Sequence, residues 1–350
     1  MPFNPFKMRQ ILHCDEESDI PLFGLDFLGI IDRGTNIIEL KPLTLCNLKC
    51  RYCFVSAGDY KTDFVVEDRY LLQKVKKLIQ IKEPHDIEIH LAPYGEIFLY
   101  PHLPQLLTAL NKLEGVSTIS LQSNGLLLTS STIKMLENAH ITRINISLNT
   151  FNKEFAEYLT HCKHYQMDTL LQNIDLLLDS DINVLLAPVW FPGENDADIE
   201  DIIQYVADMR AQGYSKADIQ LGVQKYLIYK TGRTLKKIRP KTWGYFYQQL
   251  SDLEKKYDIK LKLGPDDFGI HPRTLYNLDV HEGEIIPVTI VSPGRWDNEC
   301  IGKINEDFGC KVLLNSPITF TEDMIGKQID VKILKAKDTE NLITTYFPVT

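Results

Sequence analysis

The sequence predicts an α/β protein with a parallel sheet or barrel, followed by a small all-β barrel. Two observations carry this. Between residues 36 and 223, β-like runs alternate with helical stretches through six units, the pattern of a parallel sheet with crossover helices. From about Leu278 the helical period disappears, and short β-like runs follow one another between Gly, Pro, Asn and Asp. That pattern predicts a barrel of roughly five strands.

The elements follow in order. Asn36–Leu40 (NIIEL) reads as a strand running into a cysteine-bearing loop, and Glu67–Ile81 has apolar residues at helical spacing. Asp86–Leu91 (DIEIHL) alternates as a strand does, Leu103–Leu113 is helical, and Ser117–Leu121 is a strand. Thr132–Ala139 is helical, Arg143–Leu148 a strand, Thr169–Leu178 helical and Asn183–Val189 a strand. Asp196–Gln212 is helical, Asp218–Val223 closes the series, and a further helix spans Thr242–Tyr257. The later runs are EIIPVTIVSPG, CIGKI, CKVLL and KQIDVKILK. The expected division is an N-terminal extension over residues 1–35, a main domain over 36–275 and a β domain over 276–350.

The chain has 350 residues, 44% of them hydrophobic, enough for one large core and a smaller one. No run of 18 apolar residues exists, so no membrane span is expected, and the N-terminus lacks the apolar core of a signal peptide. Seven cysteines are too few for a disulfide scaffold. A reducing cytoplasm is the expected setting. The net charge of −9 argues against nucleic-acid binding by bulk electrostatics, so any such binding needs a local patch.

Three of the cysteines, Cys46, Cys50 and Cys53, lie in CNLKCRYCF at C-x3-C-x2-C spacing. Three thiolates cannot close a four-coordinate structural site. They can hold three irons of a cubane and leave the fourth open to a ligand. The alternatives are a zinc knuckle, for which no partner pair follows at zinc-finger spacing, and three buried free cysteines.

This motif resembles the signature of the radical S-adenosylmethionine (radical SAM) superfamily, C-x3-C-x-aromatic-C, with Tyr52 in the aromatic position. The resemblance implies a partial (β/α)6 TIM-like barrel with a [4Fe-4S] cluster on the three cysteines at its mouth. S-adenosylmethionine (SAM) would bind the open iron and be reductively cleaved to a 5′-deoxyadenosyl radical. An electron donor such as ferredoxin or flavodoxin is implied as well. The family's Gly-Gly-Glu-type motif is matched by Tyr94-Gly95-Glu96, with Tyr94 replacing the first glycine. Ser123 and Asn124, then Ser147 and Asn149, stand where the family places further SAM contacts. Each lies at a strand's C-terminal end, the face on which parallel barrels gather their sites. Trp190, Glu194 and Asn195 sit in a Pro- and Gly-bearing loop after the fifth strand, where they either face the mouth or form an ordinary loop.

Residues 225–241 (KYLIYKTGRTLKKIRPK) carry seven basic residues and no acidic one. Lys225, Lys230, Arg233, Lys236, Lys237 and Arg239 are candidate RNA-binding residues. Tyr226 and Tyr229 are interleaved, and Trp243, Tyr245 and Tyr247 follow. Cations beside aromatics suit a phosphate backbone with stacked bases. The competing reading is a solvated charged loop whose aromatics pack inward.

The tail resembles a TRAM domain, a small OB-like barrel of several RNA-modifying enzymes, in GEIIPVTIVSPGRWDNECIGKINEDFGCKVLLN and MIGKQIDVKILKAKDTENL. Residues 278–350 hold 12 Asp+Glu against 7 Lys+Arg, a local charge of −5. RNA binding by the tail would have to focus at Arg295, Lys303, Lys311 and Lys327. Together the two resemblances imply a radical SAM enzyme that modifies RNA, with tRNA the expected partner, similar to uncharacterised archaeal proteins of this architecture. The alternative is a radical SAM enzyme acting on a protein, peptide or small metabolite, with the tail as a lid.

Overall fold

The computed structural model describes residues 10–349. β1 (Gln10–Cys14) and β2 (Gly29–Asp32) come from the segment expected to be an extension, whose first nine residues lie outside the described residues. This segment is built into the main fold. β2 pairs antiparallel with β3 (Ile37–Lys41) and forms one edge of a seven-stranded sheet. The reason is its apolar content: Leu22, Phe23, Leu25, Phe27 and Leu28 are fully buried.

After β3 come the cysteine loop and β4 (Thr62–Val66), which pairs in parallel with β1. There follow α1 (Asp68–Lys82), β5 (Ile87–Leu91), α2 (Leu103–Leu110), β6 (Val116–Ser123), α3 (Ser130–Asn138) and β7 (Arg143–Ile146). Two helices, α4 (Lys153–Thr160) and α5 (Met167–Leu178), fill the next crossover. Sequence periodicity missed α4, which is capped by Asn152 accepting the Phe155 amide. Then come β8 (Asn183–Leu186), the short β9 (Val189–Trp190), α6 (Asp196–Ala211), β10 (Ile219–Leu221), the short β11 (Gln224–Lys225) and α7 (Trp243–Tyr257).

Strands β3, β5, β6, β7, β8 and β10 lie side by side in chain order, all parallel. The sheet does not close, since β10 and β2 are its two edges. It curves nonetheless: Lys41 on β3 and Gln224 beyond β10 line one cavity. Successive side chains point to opposite faces of a strand. Ile38, Leu40, Ile89, Leu91, Ile119 and Leu121 are buried apolar residues, and the positions alternating with them are Glu39, Lys41, Glu88, His90, Ser120 and Gln122. The lumen is therefore polar.

β12 (Ile285–Pro293), β13 (Glu299–Lys303), β14 (Gly309–Leu314), β15 (Gln328–Lys337) and β16 (Glu340–Phe347) form a closed five-stranded barrel. It docks on the N-terminal segment. Gly309 N donates to Phe23 O at 2.9 Å and Ile343 N to Gly24 O at 2.8 Å. Gly24 has φ +96°, and a Cβ there would meet Gly309 O at 1.9 Å, so only glycine fits this junction. Among the described residues, no helix is long and apolar enough to cross a membrane.

A buried ion pair ties these parts together. The Lys82 ammonium lies 2.7 Å from Asp32, both side chains fully buried, and also donates to Thr35 O and Thr274 O. Asp32 in turn accepts the Gly34 and Tyr276 amides at 2.8 Å. Removing one partner leaves an uncompensated buried charge. Asp32→Ala should cost about 3–5 kcal/mol in urea unfolding; a loss below about 1 kcal/mol would show that the pair contributes little.

Candidate active site

Cys46, Cys50 and Cys53 line one cavity of about 460 Å³ at the C-terminal ends of the parallel strands. The loop that carries them is irregular, so its backbone needs partners from elsewhere. Arg233 supplies three of them. Its guanidinium donates to Cys50 O at 2.6 Å and Ala57 O at 2.9 Å and pairs with Asp59, while its amide donates to Cys53 O at 2.8 Å. Arg233 was expected on an RNA-binding surface. It is instead turned inward as the brace of the cysteine loop.

The loop's far half rests on the small barrel. Trp296 packs edge-on against Tyr60, ring centroids 5.3 Å apart, in a cluster that includes Cys46, Cys53, Val55 and Ala57. The buried Arg295 holds Glu299 through two bonds of 3.0 Å, and its guanidinium lies 4.4 Å from the Phe27 ring centroid. Its carbonyl accepts the Lys61 amide at 2.9 Å. Arg295 is thus a structural anchor rather than an exposed RNA contact. Lys303, Lys311 and Lys327 are also paired, with Asp19 and Glu306, Asp26 and Asp323 respectively. The four cations on which tail binding would have focused are therefore occupied.

The other predicted residues fall into two groups. Tyr52, Gly95, Glu96, Ser123, Asn124 and Ser147 all line the cavity. Gly95 runs so close to the cysteine loop that a Cβ would meet Leu45 O at 2.0 Å. The Glu96 carboxylate is buried and accepts from Ser123 Oγ at 2.7 Å, Asn124 N at 2.8 Å and Phe98 N at 3.2 Å. Burial raises its pKa, and these donors oppose that rise. Glu96 therefore clamps the turn after β5 to the turn after β6. Asn124 Nδ2 reaches back to Asn47 in the cysteine loop at 2.8 Å. Ser147 Oγ accepts from Gln122 at 3.1 Å.

Asn149 forms the second group. It is buried behind the cavity wall, donating to the Tyr52 hydroxyl at 2.6 Å and accepting the Val189 amide at 2.7 Å. It fixes Tyr52 rather than facing the mouth. Trp190 and Asn195 are likewise buried and bonded within their own loop, and Glu194 is exposed outside the cavity lining. The loop reading of that segment holds. Sequence reasoning missed Glu39, Lys41 and Gln122, which line the cavity too. Their period-two placement on β3 and β6 was the available signal.

Burial pushes the Cys46 and Cys50 thiols up to about 12, and the neighbouring cysteines add to the rise. Burial thus favours the protonated thiols, and Cys46, Cys50 and Cys53 would hold a cluster as thiolates, stabilised by its positive charge. Among the described residues, no three His, Cys, Asp or Glu side chains are gathered tightly enough to hold a single ion. A cubane spreads its corner irons over more space, and three thiols around one cavity fit its donor set. When bound, such a cluster supplies an electron and an open iron site. The chain's own groups orient the loop through Arg233, seat it on Tyr60 and Trp296, and narrow the mouth with aromatics. Phe54 meets Tyr94 and Tyr229 there at 5.8 Å each.

Cys50→Ala should cut iron after anaerobic reconstitution from ~4 per chain to under about one. Arg233→Met keeps all three ligands but frees the loop carbonyls, so its iron should be lost to a chelator several times faster than from wild type. Equal loss rates would show that the brace does not hold the site.

The sequence model of the radical SAM superfamily matches residues 40–206. The chain is 32% identical over 350 aligned residues to the uncharacterized protein MJ0103 of Methanocaldococcus jannaschii, covering 94% of this chain and 79% of that one. It is 29% identical over 186 residues to the GTP 3′,8-cyclase of Staphylococcus carnosus, and this match spans 54% of the relative's length. The fold matches that of HydG, a maturase of the [FeFe]-hydrogenase, with a TM-score of 0.52 at 10% identity, over 72% of this chain and 56% of that one. Enzymes of this superfamily use a [4Fe-4S] cluster and SAM, and they need a reductant. With its cysteine triplet, its parallel sheet and these matches, the chain belongs to the radical SAM superfamily of enzymes.

Proposed function

We propose that the chain is a radical SAM enzyme that modifies RNA, with tRNA as the substrate to test first. The observation that carries this is the rim of the cavity. Lys225 and Tyr229 line the cavity, and Trp243, Tyr245 and Tyr247 stand half exposed beyond it. Trp243 stacks on Tyr247 at 5.8 Å, and Trp190 stacks on Tyr245 at 6.0 Å. Lys225 Nζ lies 4.9 Å from the Trp243 ring and Lys241 Nζ 5.4 Å from the Tyr245 ring. Lys230, Lys236, Lys237 and Arg239 are exposed on the same stretch.

Aromatic faces left in water beside cations make a platform for bases and phosphates. A stretch whose aromatics all packed inward would bury these rings; of those between residues 226 and 247, Tyr226 and Phe246 are buried, while Tyr229, Trp243, Tyr245 and Tyr247 stay exposed. The TRAM likeness of residues 276–350 supports the same reading, with the barrel acting through its hold on the cysteine loop. Residues 46–53, the rim and the cavity wall at 95–96, 123–124 and 147 would contact cluster, RNA and SAM from one face. The reductant would be a ferredoxin or flavodoxin, in the cytoplasm, where an oxygen-sensitive cluster survives.

A second reading is a small nucleotide as substrate, favoured by the likeness to GTP 3′,8-cyclases, of whose length the match spans about half. Filter binding separates the two. Neutralising Lys236, Lys237 and Arg239 to Gln should weaken tRNA binding at least about tenfold and lower the salt slope by about 2. Absence of salt-dependent tRNA binding in the wild type would sink the RNA reading. If tRNA binds, mass spectrometry of tRNA nucleosides from a deletion strain names the product.

A further inference from the structure

Two phenols beside Cys50 have protons that nothing described so far receives. Tyr52 and Tyr165 both line the cavity together with Cys50. Tyr165 stands between α4 and α5 and is only 4% exposed. The Tyr52 ring packs edge-on against Phe191, ring centroids 5.0 Å apart. Its hydroxyl is fixed by Asn149, whose Nδ2 donates to it at 2.6 Å. The Asn149 amide cannot be turned over, because its Oδ1 already accepts the Val189 amide at 2.7 Å. The Tyr52 oxygen is therefore an acceptor toward Asn149, and its own proton is left to donate elsewhere.

Other buried phenols of this molecule give their proton to a backbone carbonyl. Tyr60 donates to Val55 O at 2.8 Å, Tyr70 to Ile20 O at 3.0 Å and Tyr100 to Val66 O at 2.8 Å. Among the described residues, neither Tyr52 nor Tyr165 donates to an oxygen or a nitrogen. What the two share is Cys50. Burial first, and then the neighbouring Cys50, raise the pKa of both hydroxyls, so both keep the proton that a donor needs. Burial raises the Cys50 thiol to about 12, and the Tyr52 hydroxyl opposes that rise by favouring the ionised sulfur.

A buried donor without an acceptor is costly. A thiolate at Cys50 supplies the acceptor, and the neutral thiol is a far weaker one. We propose that Tyr52 and Tyr165 donate hydrogen bonds to the Cys50 sulfur in its cluster-ligating form, with Asn149 as the positioning residue for Tyr52, and that these bonds raise the cluster's reduction potential. Reduction adds a negative charge, and donors to a ligating sulfur stabilise it. The proposal rests on the three cysteines being the cluster ligands.

The test is a reductive titration of the anaerobically reconstituted protein, followed by electron paramagnetic resonance. Tyr52→Phe and Tyr165→Phe keep the rings and all three cysteines, so both should take up iron as the wild type does. At the potential where half the wild-type cluster is reduced, the ratio of reduced to oxidised cluster should fall at least about threefold in each. In the double variant it should fall about tenfold, a one-electron shift of about 59 mV. A double variant with full iron and the wild-type potential would overturn the proposal, as would a shift to higher potential. Where a variant fails to fold, the wild type decides alone. Its iron–thiolate stretching bands in resonance Raman should move on reconstitution in deuterium oxide, and bands that stay in place would overturn the proposal. A wild type that takes up no iron would instead sink the cluster assignment itself, and this proposal with it.

Discussion

The guanidinium of Arg233 is the contact on which the site depends. It comes from the segment after the last strand of the parallel sheet and takes hold of the loop after the first, bonding Cys50 O, Ala57 O and Asp59. The sheet is open, with β10 and β2 at its edges, and Arg233 links the segment beyond β10 to the loop after β3. An irregular loop has no ladder to satisfy its carbonyls, and a planar cation with several donors satisfies two of them at once. From the opposite side, Trp296 on Tyr60 and the Arg295–Glu299 pair seat the loop on the small barrel. The position of the three thiols is thus set from two sides, by the segment after the parallel sheet and by the small barrel.

This arrangement explains why the small barrel is acidic and yet attached to a candidate RNA enzyme. Three of its cations are engaged in holding the molecule together: Lys311 with Asp26, Lys303 with Asp19, and Arg295 beneath the cysteine loop. Free positive charge and exposed rings gather at the rim beside the cavity instead. Between rim and lumen lies the space in which a reactive species must be kept from water. Phe54, Tyr94 and Tyr229 narrow the way in.

Much of this was legible in the sequence. The cysteine spacing announced an open metal site, and six strand–helix alternations announced a parallel sheet with the motif on its first loop. Gly95 and Glu96 were found by their likeness to the family's Gly-Gly-Glu motif, and their reason appears only in space, as a close backbone approach and a clamp between two turns. Arg233 was read as an RNA contact because a cation in a basic run carries no mark of its partner 183 residues away. Residues 1–35 were read as an N-terminal extension, although the burial of their apolar residues and the pairing of β2 make this segment an integral edge of the sheet. Glu39 and Lys41 were hidden in a strand whose apolar residues drew attention to its other face.

The central claim is that three cysteines hold a cluster whose fourth iron is open to SAM. Electron paramagnetic resonance of the anaerobically reconstituted, reduced protein tests it directly. A [4Fe-4S]+ signal that changes shape when SAM is added, and that Cys50→Ala abolishes, is the result predicted. A protein that takes up zinc in place of iron, or a cluster signal indifferent to SAM, would contradict the account.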